Sequence, residues 1–171
     1  HAGKWEKSKF MGVELAGKTL GIIGCGNIGS IVADRARGLK MKVIAYDPYL
    51  SAERANDLGI EKVDLDTLYA RADFISLHAP ATDATRGMIN KQALAKMKKG
   101  ARLINCARGA LVNEADLKEA LLSGHLAGAA LDVFATEPAK ESILFGVEQV
   151  VATPHLGAST PESEVNCADM A

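Results

Sequence analysis

Six short, near-continuous apolar runs recur along the chain and alternate with segments of helical periodicity. Runs of this kind, without a regular apolar and polar alternation, are typical of strands that are buried on both faces of a parallel sheet. The pattern therefore predicts an α/β fold in which helices cover both faces of a doubly wound parallel sheet. The predicted strands lie in KTLGIIG (18–24), KVIAYD (42–47), ADFISLH (72–78), ARLINCA (101–107), LAGAALDVF (126–134) and QVVATPH (149–155).

Three segments between these strands have the periodicity of helices. The first carries an apolar stripe, and such a stripe normally faces the core. The other two are amphipathic and begin with residues that cap helices well. The segments are NIGSIVADRARGL (27–39), with its stripe of Ile28, Ile31, Val32 and Leu39, NKQALAKMKKG (90–100) and NEADLKEALLSGHL (113–126).

The charge and composition of the chain argue against several classes of partner. Lys and Arg number 20 against 21 Asp and Glu, so the formal net charge is −1. With only 5% aromatic residues, this balance gives no support for a nucleic-acid surface or a polybasic membrane surface. No apolar run is long enough to cross a membrane. We therefore expect neither a nucleic acid nor a membrane as partner.

The three cysteines, Cys25, Cys106 and Cys167, are far apart in the sequence. No pair has the spacing of a metal site or of a redox motif. We therefore expect free thiols, no metal site and a cytoplasmic location.

A glycine-rich segment follows the first predicted strand and precedes the first predicted helix. This segment, GCGNIG, fits the dinucleotide-binding pattern G-x-G-x-x-G. Gly24 allows the tight turn, Gly26 lets the backbone approach a pyrophosphate, and Gly29 lets the helix pack on the strand. The helix start at Asn27 and Ile28 directs amides and a positive dipole at that anion.

An acidic residue at the end of the second predicted strand supports the same interpretation. Asp47 lies eighteen residues after Gly29, where a carboxylate can accept hydrogen bonds from the adenosine ribose. Its charge would repel a 2′-phosphate, and we expect no arginine nearby to compensate, so NAD is favoured over NADP. Alternatively, Asp47 only starts a turn with Pro48. Loop, strand and acid together predict a site for NAD.

Three residues that follow later strands suit hydride transfer from a hydroxy acid. Arg108 can bind a carboxylate through two parallel hydrogen bonds. His155 can accept the hydroxyl proton as hydride leaves, and return it in the reverse reaction. Glu137, ionised beside the ring, would orient the imidazole and favour its protonated form. Ligands of an open parallel sheet bind beyond the carboxyl ends of its strands, so we expect the three residues to converge there.

Each of these residues also has a purely structural interpretation. His155 could be a turn or packing residue, Glu137 a solvated loop acid, and Arg108 a solvated residue at a strand end. Taken singly, the structural interpretations are preferred. Their common position at the ligand edge of a dinucleotide fold favours the chemical one.

Four further residues need an interpretation. We expect His78 to line the cofactor cleft and His125 to be a surface turn residue. Cys106 is interpreted as a small packing residue, with a thiol nucleophile as the alternative. Asp132 either bonds the nicotinamide carboxamide or caps a turn.

Four segments, KTLGIIGCGNIGS, NCARGALVNEADLKEAL, GAALDVFATEP and TPHLGAST, resemble the D-isomer-specific 2-hydroxyacid dehydrogenases. The resemblance implies a Rossmann-type NAD-binding domain with an N-terminal arm over residues 1–160. Residues 161–171 would begin the return to a substrate domain that is absent from this chain. The implied catalytic residues are Arg108, Glu137 and His155. The implied cofactor contacts are Asn27, Ile28, Asp47, Ala79, Cys106, Ala107, Arg108, Asp132, His155, Leu156, Gly157 and Ala158.

The same resemblance implies NAD-dependent oxidation of a 2-hydroxy acid to a 2-oxo acid. It also implies a homodimer through this domain, with KWEKSKFMG (4–12) as an arm that wraps the partner. HLGAST and WEKSKFMGVELAGKTLGIIG favour the phosphoglycerate branch of the family. The alternatives are a glyoxylate/hydroxypyruvate or lactate branch, and an NAD(H)-sensing corepressor that uses the same pocket.

Overall fold

The computed structural model describes residue 3 and residues 5–163, which form a seven-stranded sheet with helices on both faces. Two 3₁₀-helices, Lys7–Phe10 and Gly109–Leu111, accompany the regular elements. In chain order these are β1 (Thr19–Ile23), α1 (Asn27–Gly38), β2 (Lys42–Tyr46), α2 (Ala52–Asp57), β3 (Glu61–Lys62), α3 (Leu65–Arg71), β4 (Phe74–Leu77), α4 (Lys91–Lys96), β5 (Arg102–Asn105), α5 (Glu114–Leu122), β6 (Gly128–Leu131) and β7 (Val150–Ala152).

The strands pair in parallel, in the order β3-β2-β1-β4-β5-β6-β7. The chain runs outward from β1 to β3 and then returns to β4 on the other side of β1. The order therefore reverses between β1 and β4, and doubly wound sheets bind their ligands at such a switch point. The predicted fold class is confirmed.

Successive residues of the strands pack into two apolar clusters, one on each face of the sheet. Ile22 of β1 packs with buried residues of α1 and α2, whereas Ile23 packs with residues of α3, α4 and α5. Burial on both faces explains why the strands read as continuous apolar runs.

The face of α1 that packs on the sheet is not the predicted apolar stripe. It consists of Gly29, Ala33 and Ala36, whose small size lets the helix approach the strands closely. A Cβ at Gly29 would overlap the Gly24 carbonyl. The helix predicted from the stripe is confirmed, but the stripe does not mark the buried face, because a close helix–sheet contact selects small residues rather than the most hydrophobic ones. Of the predicted stripe, Val32 is half-buried, and Ile28, Ile31 and Leu39 are exposed at 63%, 53% and 55%.

The segment between β2 and β4 contains three elements that the sequence interpretation did not include. These are α2, β3 and α3, and β3 is only two exposed residues long. A signal for both helices was nevertheless present. Ser51 and Asp64 each accept a hydrogen bond from the amide three residues later, which is the arrangement of a helix N-cap.

The predicted caps of α4 and α5 are confirmed. The side chain of Asn90 accepts from the Ala93 amide, and that of Asn113 accepts from the Ala115 and Asp116 amides. Both helices are shorter than predicted, as are the later strands, because the residues beyond their ends form turns, bends and irregular loops.

The described residues before β1 contribute no strand to the sheet. Trp5 and Met11, in the predicted arm, are exposed. Cys167 and most of the predicted return segment lie outside the described residues, so the proposed division at residue 160 stays a prediction. Within the described residues, no helix is long and apolar enough to cross a membrane.

Enlarging the small face of α1 should destabilise the fold. Ala33→Leu is expected to lower the free energy of unfolding by about 1–3 kcal/mol, because extra methylenes do not fit between α1 and the sheet. Ile31→Ala, on the exposed face, should change it by less than about 0.5 kcal/mol. Urea unfolding followed by circular dichroism measures both variants. Equal losses would show that the sheet-facing side of α1 is assigned wrongly.

Candidate active site

The loop between β1 and α1 passes directly over the end of β4. Gly24 has a φ of +90°, and a Cβ there would come within 2.8 Å of the His78 carbonyl group and the Ala79 amide nitrogen. Glycine satisfies both constraints without strain. At Gly26, by contrast, no atom lies within 4 Å of where a Cβ would be. The middle glycine therefore faces open space, as a pyrophosphate cradle requires.

The helix that follows this loop begins without a capping side chain. The N-cap of α1 is Gly26, and the first turn contains no acidic residue. An uncapped first turn carries unsatisfied amides and the positive end of the helix dipole, so it suits an anion. The other α-helices of the described residues are each capped by a side chain, from Ser51, Asp64, Asn90 and Asn113.

Asp47, directly after β2, holds the glycine loop through its carboxylate. Oδ2 accepts a 2.7 Å hydrogen bond from the Cys25 amide, and Oδ1 accepts one of 2.7 Å from the Tyr49 amide. The second contact is the turn that the alternative interpretation anticipated. Each oxygen retains a lone pair, so a ribose hydroxyl can still donate to this carboxylate.

The charge of one guanidinium acts on Cys25 in this loop, but among the described residues it forms no ion pair with Asp47. Burial is the largest cause that raises the pKa of Cys25, and the Asp47 carboxylate raises it further. The charge of Arg54 lowers it. This guanidinium is that of Arg54 in α2, an element that the sequence interpretation did not include. The Cys25 thiol remains protonated at neutral pH.

A cleft of about 300 Å³ opens beyond the ends of β4 and β5, beside the start of α1. It brings together residues that are far apart in the sequence and that were expected near the cofactor. We therefore take it as the candidate cofactor cleft. Its walls are formed by Ile28, His78, Ala79, Pro80, Cys106, Ala107 and Arg108.

His78 lines this cleft with a partly buried ring. Its Nε2 lies 2.9 Å from the hydroxyl oxygen of Ser76, two residues earlier on β4. Burial lowers the pKa of His78, so the imidazole is neutral at neutral pH. The ring therefore adds no charge to the cleft.

Cys106 is exposed, so its interpretation as a packing residue was wrong. The reason is that β5 ends at Asn105, and the next residue emerges beyond the sheet. Partial burial of the thiol raises the pKa of Cys106 most, and the Asp132 carboxylate raises it further. The thiol is therefore not activated as a nucleophile.

The turn that carries Arg108 is held by the buried side chain of Asn105. The Asn105 amide nitrogen donates to the Arg108 carbonyl at 3.0 Å, and its amide oxygen accepts from the Ala107 amide at 3.0 Å. The exposed guanidinium donates from Nη1 to the Ala107 carbonyl at 2.6 Å. Among the described residues no carboxylate forms an ion pair with it. The charge is available to an external anion.

His155 and Glu137 are in direct contact. Nδ1 of His155 lies 2.6 Å from Oε2 of Glu137, and the Phe134 amide donates to Oε1 at 3.0 Å. The hydrogen bonds from His155 and from Phe134 lower the pKa of Glu137, against the opposite effect of partial burial. An ionised Glu137 keeps a proton on Nδ1, which leaves Nε2 as the atom that can exchange a proton.

Asp132, directly after β6, is 5% exposed and anchors the loop that carries His155. Its Oδ1 accepts from the Thr153 hydroxyl at 2.5 Å and from the Leu156 amide at 2.7 Å. Its Oδ2 accepts from the Gly157 amide at 2.9 Å. Burial by itself raises the pKa of Asp132, but these hydrogen bonds hold it below its ordinary value. The turn-capping alternative is therefore present, and Oδ2 retains a lone pair for one further donor.

His155 itself has a left-handed backbone, with a φ of 56°. For a residue other than glycine this conformation costs about 1–2 kcal/mol, so the surrounding structure must hold it. The hydrogen bonds to Asp132 come from residues on both sides of His155. The direction of the imidazole is thus set by an anchored and strained loop.

Arg108 forms no hydrogen bond or ion pair with the His155–Glu137 pair, but the backbones of their loops are in contact. Gly109 packs so closely against the Phe134 carbonyl that a Cβ would overlap it. The three residues follow β5, β6 and β7, which are neighbours in the sheet. The structure brings Glu137 and His155 together and places Arg108 on the adjacent turn.

A cavity of about 350 Å³ with mostly apolar walls lies beside the His155–Glu137 pair. It is lined in part by Phe134, Phe145 and Thr153, to which the sequence interpretation gave no role. The two phenylalanine rings meet edge to face, with centroids 5.5 Å apart. Thr153 could have been found by its place directly after a strand, whereas Phe145 lies in a long connection that carries no such signal.

His125 is not part of this edge of the sheet; it lies in the turn before β6, as expected, but its ring is only partly exposed. Its partly buried ring places Nε2 2.9 Å from the Leu94 carbonyl. The turn before β6 folds back against α4, which the local sequence does not reveal.

Residues 1–157 match the family described as D-isomer specific 2-hydroxyacid dehydrogenase, NAD binding domain. The chain belongs to this family. The resemblance seen in the sequence is confirmed, and so is NAD as the cofactor of this domain.

Similar curated sequences include proteins named D-3-phosphoglycerate dehydrogenase. Those of Mycobacterium tuberculosis and Bacillus subtilis are 55% and 50% identical to the chain, over 160 and 165 residues. The matches cover 94% and 96% of this chain but only 30% and 31% of the relatives. The chain thus spans about a third of the length of the curated relatives it matches.

Similar solved structures include two enzymes with other printed names. The pyruvate reductase of Chlamydomonas reinhardtii matches with a TM-score of 0.89 and 35% identity, over 98% of this chain and 55% of that one. The D-lactate dehydrogenase with NAD⁺ from Lactobacillus jensenii matches with a TM-score of 0.84 and 35% identity, over 95% and 52%.

The strain at His155 can be measured by comparing two substitutions. His155→Gly should be more stable than His155→Ala by about 1 kcal/mol, because glycine adopts a positive φ without strain. At Leu156, where φ is not positive, the order should reverse, with alanine more stable by about 0.4–1 kcal/mol. Denaturant titration of the four variants gives the free energies of unfolding. The same order at both positions would contradict the left-handed assignment.

Proposed function

We propose that this chain is the cofactor-binding domain of an NAD-dependent D-3-phosphoglycerate dehydrogenase, which oxidises 3-phospho-D-glycerate to 3-phosphohydroxypyruvate in serine biosynthesis. The observation that carries the proposal is the 2.6 Å contact between His155 and Glu137, at the same edge of the sheet as the glycine loop. An imidazole that can exchange a proton near a nicotinamide is what hydroxy-acid oxidation requires. The names of relatives at 50–55% identity support the substrate.

In this proposal NAD lies along the cleft between Asp47 and Asp132. The open space at Gly26 and the amides of Asn27 and Ile28 bind the pyrophosphate. Asp47 accepts hydrogen bonds from the adenosine ribose, and the free lone pair of Asp132 accepts one from the nicotinamide carboxamide. The remaining contacts are assigned to Gly24, Gly29, His78, Ala79, Cys106, Ala107, Arg108, His155, Gly157 and Ala158.

The proposed chemistry divides the two hydrogens of the substrate between the cofactor and the chain. Bound NAD supplies the acceptor for the hydride that leaves the hydroxyl-bearing carbon. Arg108 holds the substrate carboxylate in a bidentate pair. Nε2 of His155 accepts the hydroxyl proton, and the ionised Glu137 stabilises the imidazolium that forms. In the reverse direction His155 returns the proton to the carbonyl oxygen.

We further propose a cytoplasmic homodimer that forms through this domain. Leu39, directly after α1, and Met11 in the N-terminal arm are exposed apolar side chains that a second copy would cover. The substrate in this proposal is a small molecule. No nucleic acid or membrane partner enters the proposal.

A second candidate is another branch of the same family. Similar structures at 34–38% identity include a D-lactate dehydrogenase from Escherichia coli and a glyoxylate reductase from Paecilomyes thermophila. The chemistry assigned above recognises only the carboxylate and hydroxyl that all 2-hydroxy acids share. Steady-state kinetics of the full-length gene product with 3-phosphoglycerate, D-glycerate and D-lactate separates the two. The proposal expects the highest kcat/KM for 3-phosphoglycerate, and a higher value for D-lactate would contradict it.

Cofactor choice tests the role of Asp47. The chain should bind NAD more tightly than NADP, because the Asp47 carboxylate repels a 2′-phosphate even with Arg54 nearby. Asp47→Asn should weaken NAD binding by about 1–3 kcal/mol, since a charged acceptor is lost, and should narrow the gap to NADP. Asp57→Asn, at the far end of α2, is the control. Calorimetry with both nucleotides measures the effect, and equal affinities in the wild type would remove the assigned role.

The proton-transfer pair is tested by His155→Ala and Glu137→Gln in the full-length gene product. His155→Ala should bind NAD normally yet lose about 10²–10⁴-fold in activity. The hydrogen bond from His155 lowers the pKa of Glu137, and Glu137→Gln abolishes this coupling. The acid limb of the pH–rate profile for oxidation should therefore move to lower pH. The alkaline limb of the profile for reduction should also move to lower pH.

The control for the second variant is Glu141→Gln, an exposed acid in the same connection, which should leave both limbs in place. Full activity in His155→Ala would exclude the acid–base role. If the limbs of the pH–rate profile do not move in Glu137→Gln, Glu137 has only a structural role.

A further inference from the structure

The loop after β7 is held in an unfavourable backbone conformation at His155, the residue proposed to move the proton. Its φ of 56° brings Cβ close to the following carbonyl oxygen, which residues other than glycine normally avoid. Such a conformation persists only where neighbouring contacts enforce it. The direction of the imidazole therefore depends on what holds this loop.

The loop is held by one buried carboxylate. Asp132 accepts the two amides that follow His155, from Leu156 at 2.7 Å and from Gly157 at 2.9 Å. Strand pairing brings the two segments together, because Leu131 of β6 is in register with Ala152 of β7. The backbone on the far side of the strained residue is thus tied to the end of β6.

The third donor to Asp132 is a side chain, the hydroxyl of Thr153. It donates at 2.5 Å to Oδ1, the oxygen that also accepts from the Leu156 amide. A donor at this position restrains rotation of the carboxylate and keeps Oδ2 directed at Gly157. Burial raises the pKa of Asp132, and the Thr153 hydrogen bond is the largest of the contributions that lower it. The hydroxyl therefore also favours the charged form that the two amides need.

We propose that Thr153 is a positioning residue for His155: its hydroxyl orients the Asp132 carboxylate, which fixes the loop and with it the Nε2 atom. The inference rests on the proposed function of His155 as the group that exchanges the substrate proton. The effect of Thr153 on turnover is indirect, because Thr153 acts through Asp132 and the loop rather than on the substrate. A displacement of a reacting group by about 1 Å is enough to lower a rate by as much as about 10²-fold.

Three substitutions in the full-length gene product separate the hydroxyl from the shape of the side chain. Thr153→Val keeps the shape and removes the donor, and it should lower kcat with 3-phosphoglycerate by about 10–100-fold. The KM for the substrate should stay unchanged. Thr153→Ser keeps the donor and should restore kcat. Thr160→Val is the matched control, because the Thr160 hydroxyl bonds Ser163 rather than Asp132.

Hydrogen exchange provides a readout that does not depend on turnover. In the same proteins, the amides of Leu156 and Gly157 should exchange faster in Thr153→Val, because their acceptor is no longer held, and at the wild-type rate in Thr153→Ser. Mass spectrometry of peptides that cover residues 153–157 measures this.

Unchanged exchange in Thr153→Val overturns the proposal, as does a normal kcat in spite of faster exchange. A rise in KM for the substrate without a fall in kcat would indicate a direct contact and overturns it as well. A wild-type protein that oxidises no 2-hydroxy acid would overturn the proposed function instead, and the exchange rates would then decide alone whether Thr153 anchors the loop.

Discussion

Because the strands of this sheet all run parallel, the loops that follow them meet at a single edge, and they meet within contact distance. Two glycines make that approach possible. Gly24 lies against the backbone of His78, and Gly109 lies against the carbonyl of Phe134. A side chain at either position would push neighbouring loops apart. The glycine loop, the arginine turn and the His155–Glu137 pair are therefore parts of one compact arrangement, which is why the candidate cofactor cleft and the proton-exchanging group lie at the same edge.

The acidic side chains at this edge of the sheet fix the loop backbone through hydrogen bonds and also carry negative charge. Asp47, Asp132 and Glu137 each accept at least one backbone amide from a loop that carries a candidate functional residue. Hydrogen bonds overcome burial and lower the pKa values of Asp132 and Glu137, so both are ionised at neutral pH. Their stabilising contribution is present above the ordinary carboxyl range and is lost as pH falls through the lowered values. Function and loop structure consequently depend on the same carboxylates, and removing one disturbs both.

The fold class and the strand-end candidates could be predicted from the sequence because buried parallel strands leave an unmistakable apolar pattern. Features set by tertiary contact could not. By hydrophobicity alone, Ile31 would be expected to be more buried than Ala33. Close packing of α1 on the sheet instead buries Ala33 and leaves Ile31 exposed. The contact of His125 with α4 depends on a turn that folds back. Thr153 lies where a strand ends, but its hydrogen bond to Asp132 follows from the register of β6 with β7, which a single sequence does not give.

The central claim is that the carboxyl edge of the sheet, from the glycine loop to the loop of His155, binds NAD. The most direct measurement is a titration of the isotopically labelled chain with NAD, followed by backbone amide chemical shifts. The account predicts that the shifts change in the loops that follow β1, β2, β4, β5 and β7. The groove between α4 and α5, lined by Lys91 and His125, should stay unchanged. Changes centred on that groove, or none at the glycine loop, would contradict the account.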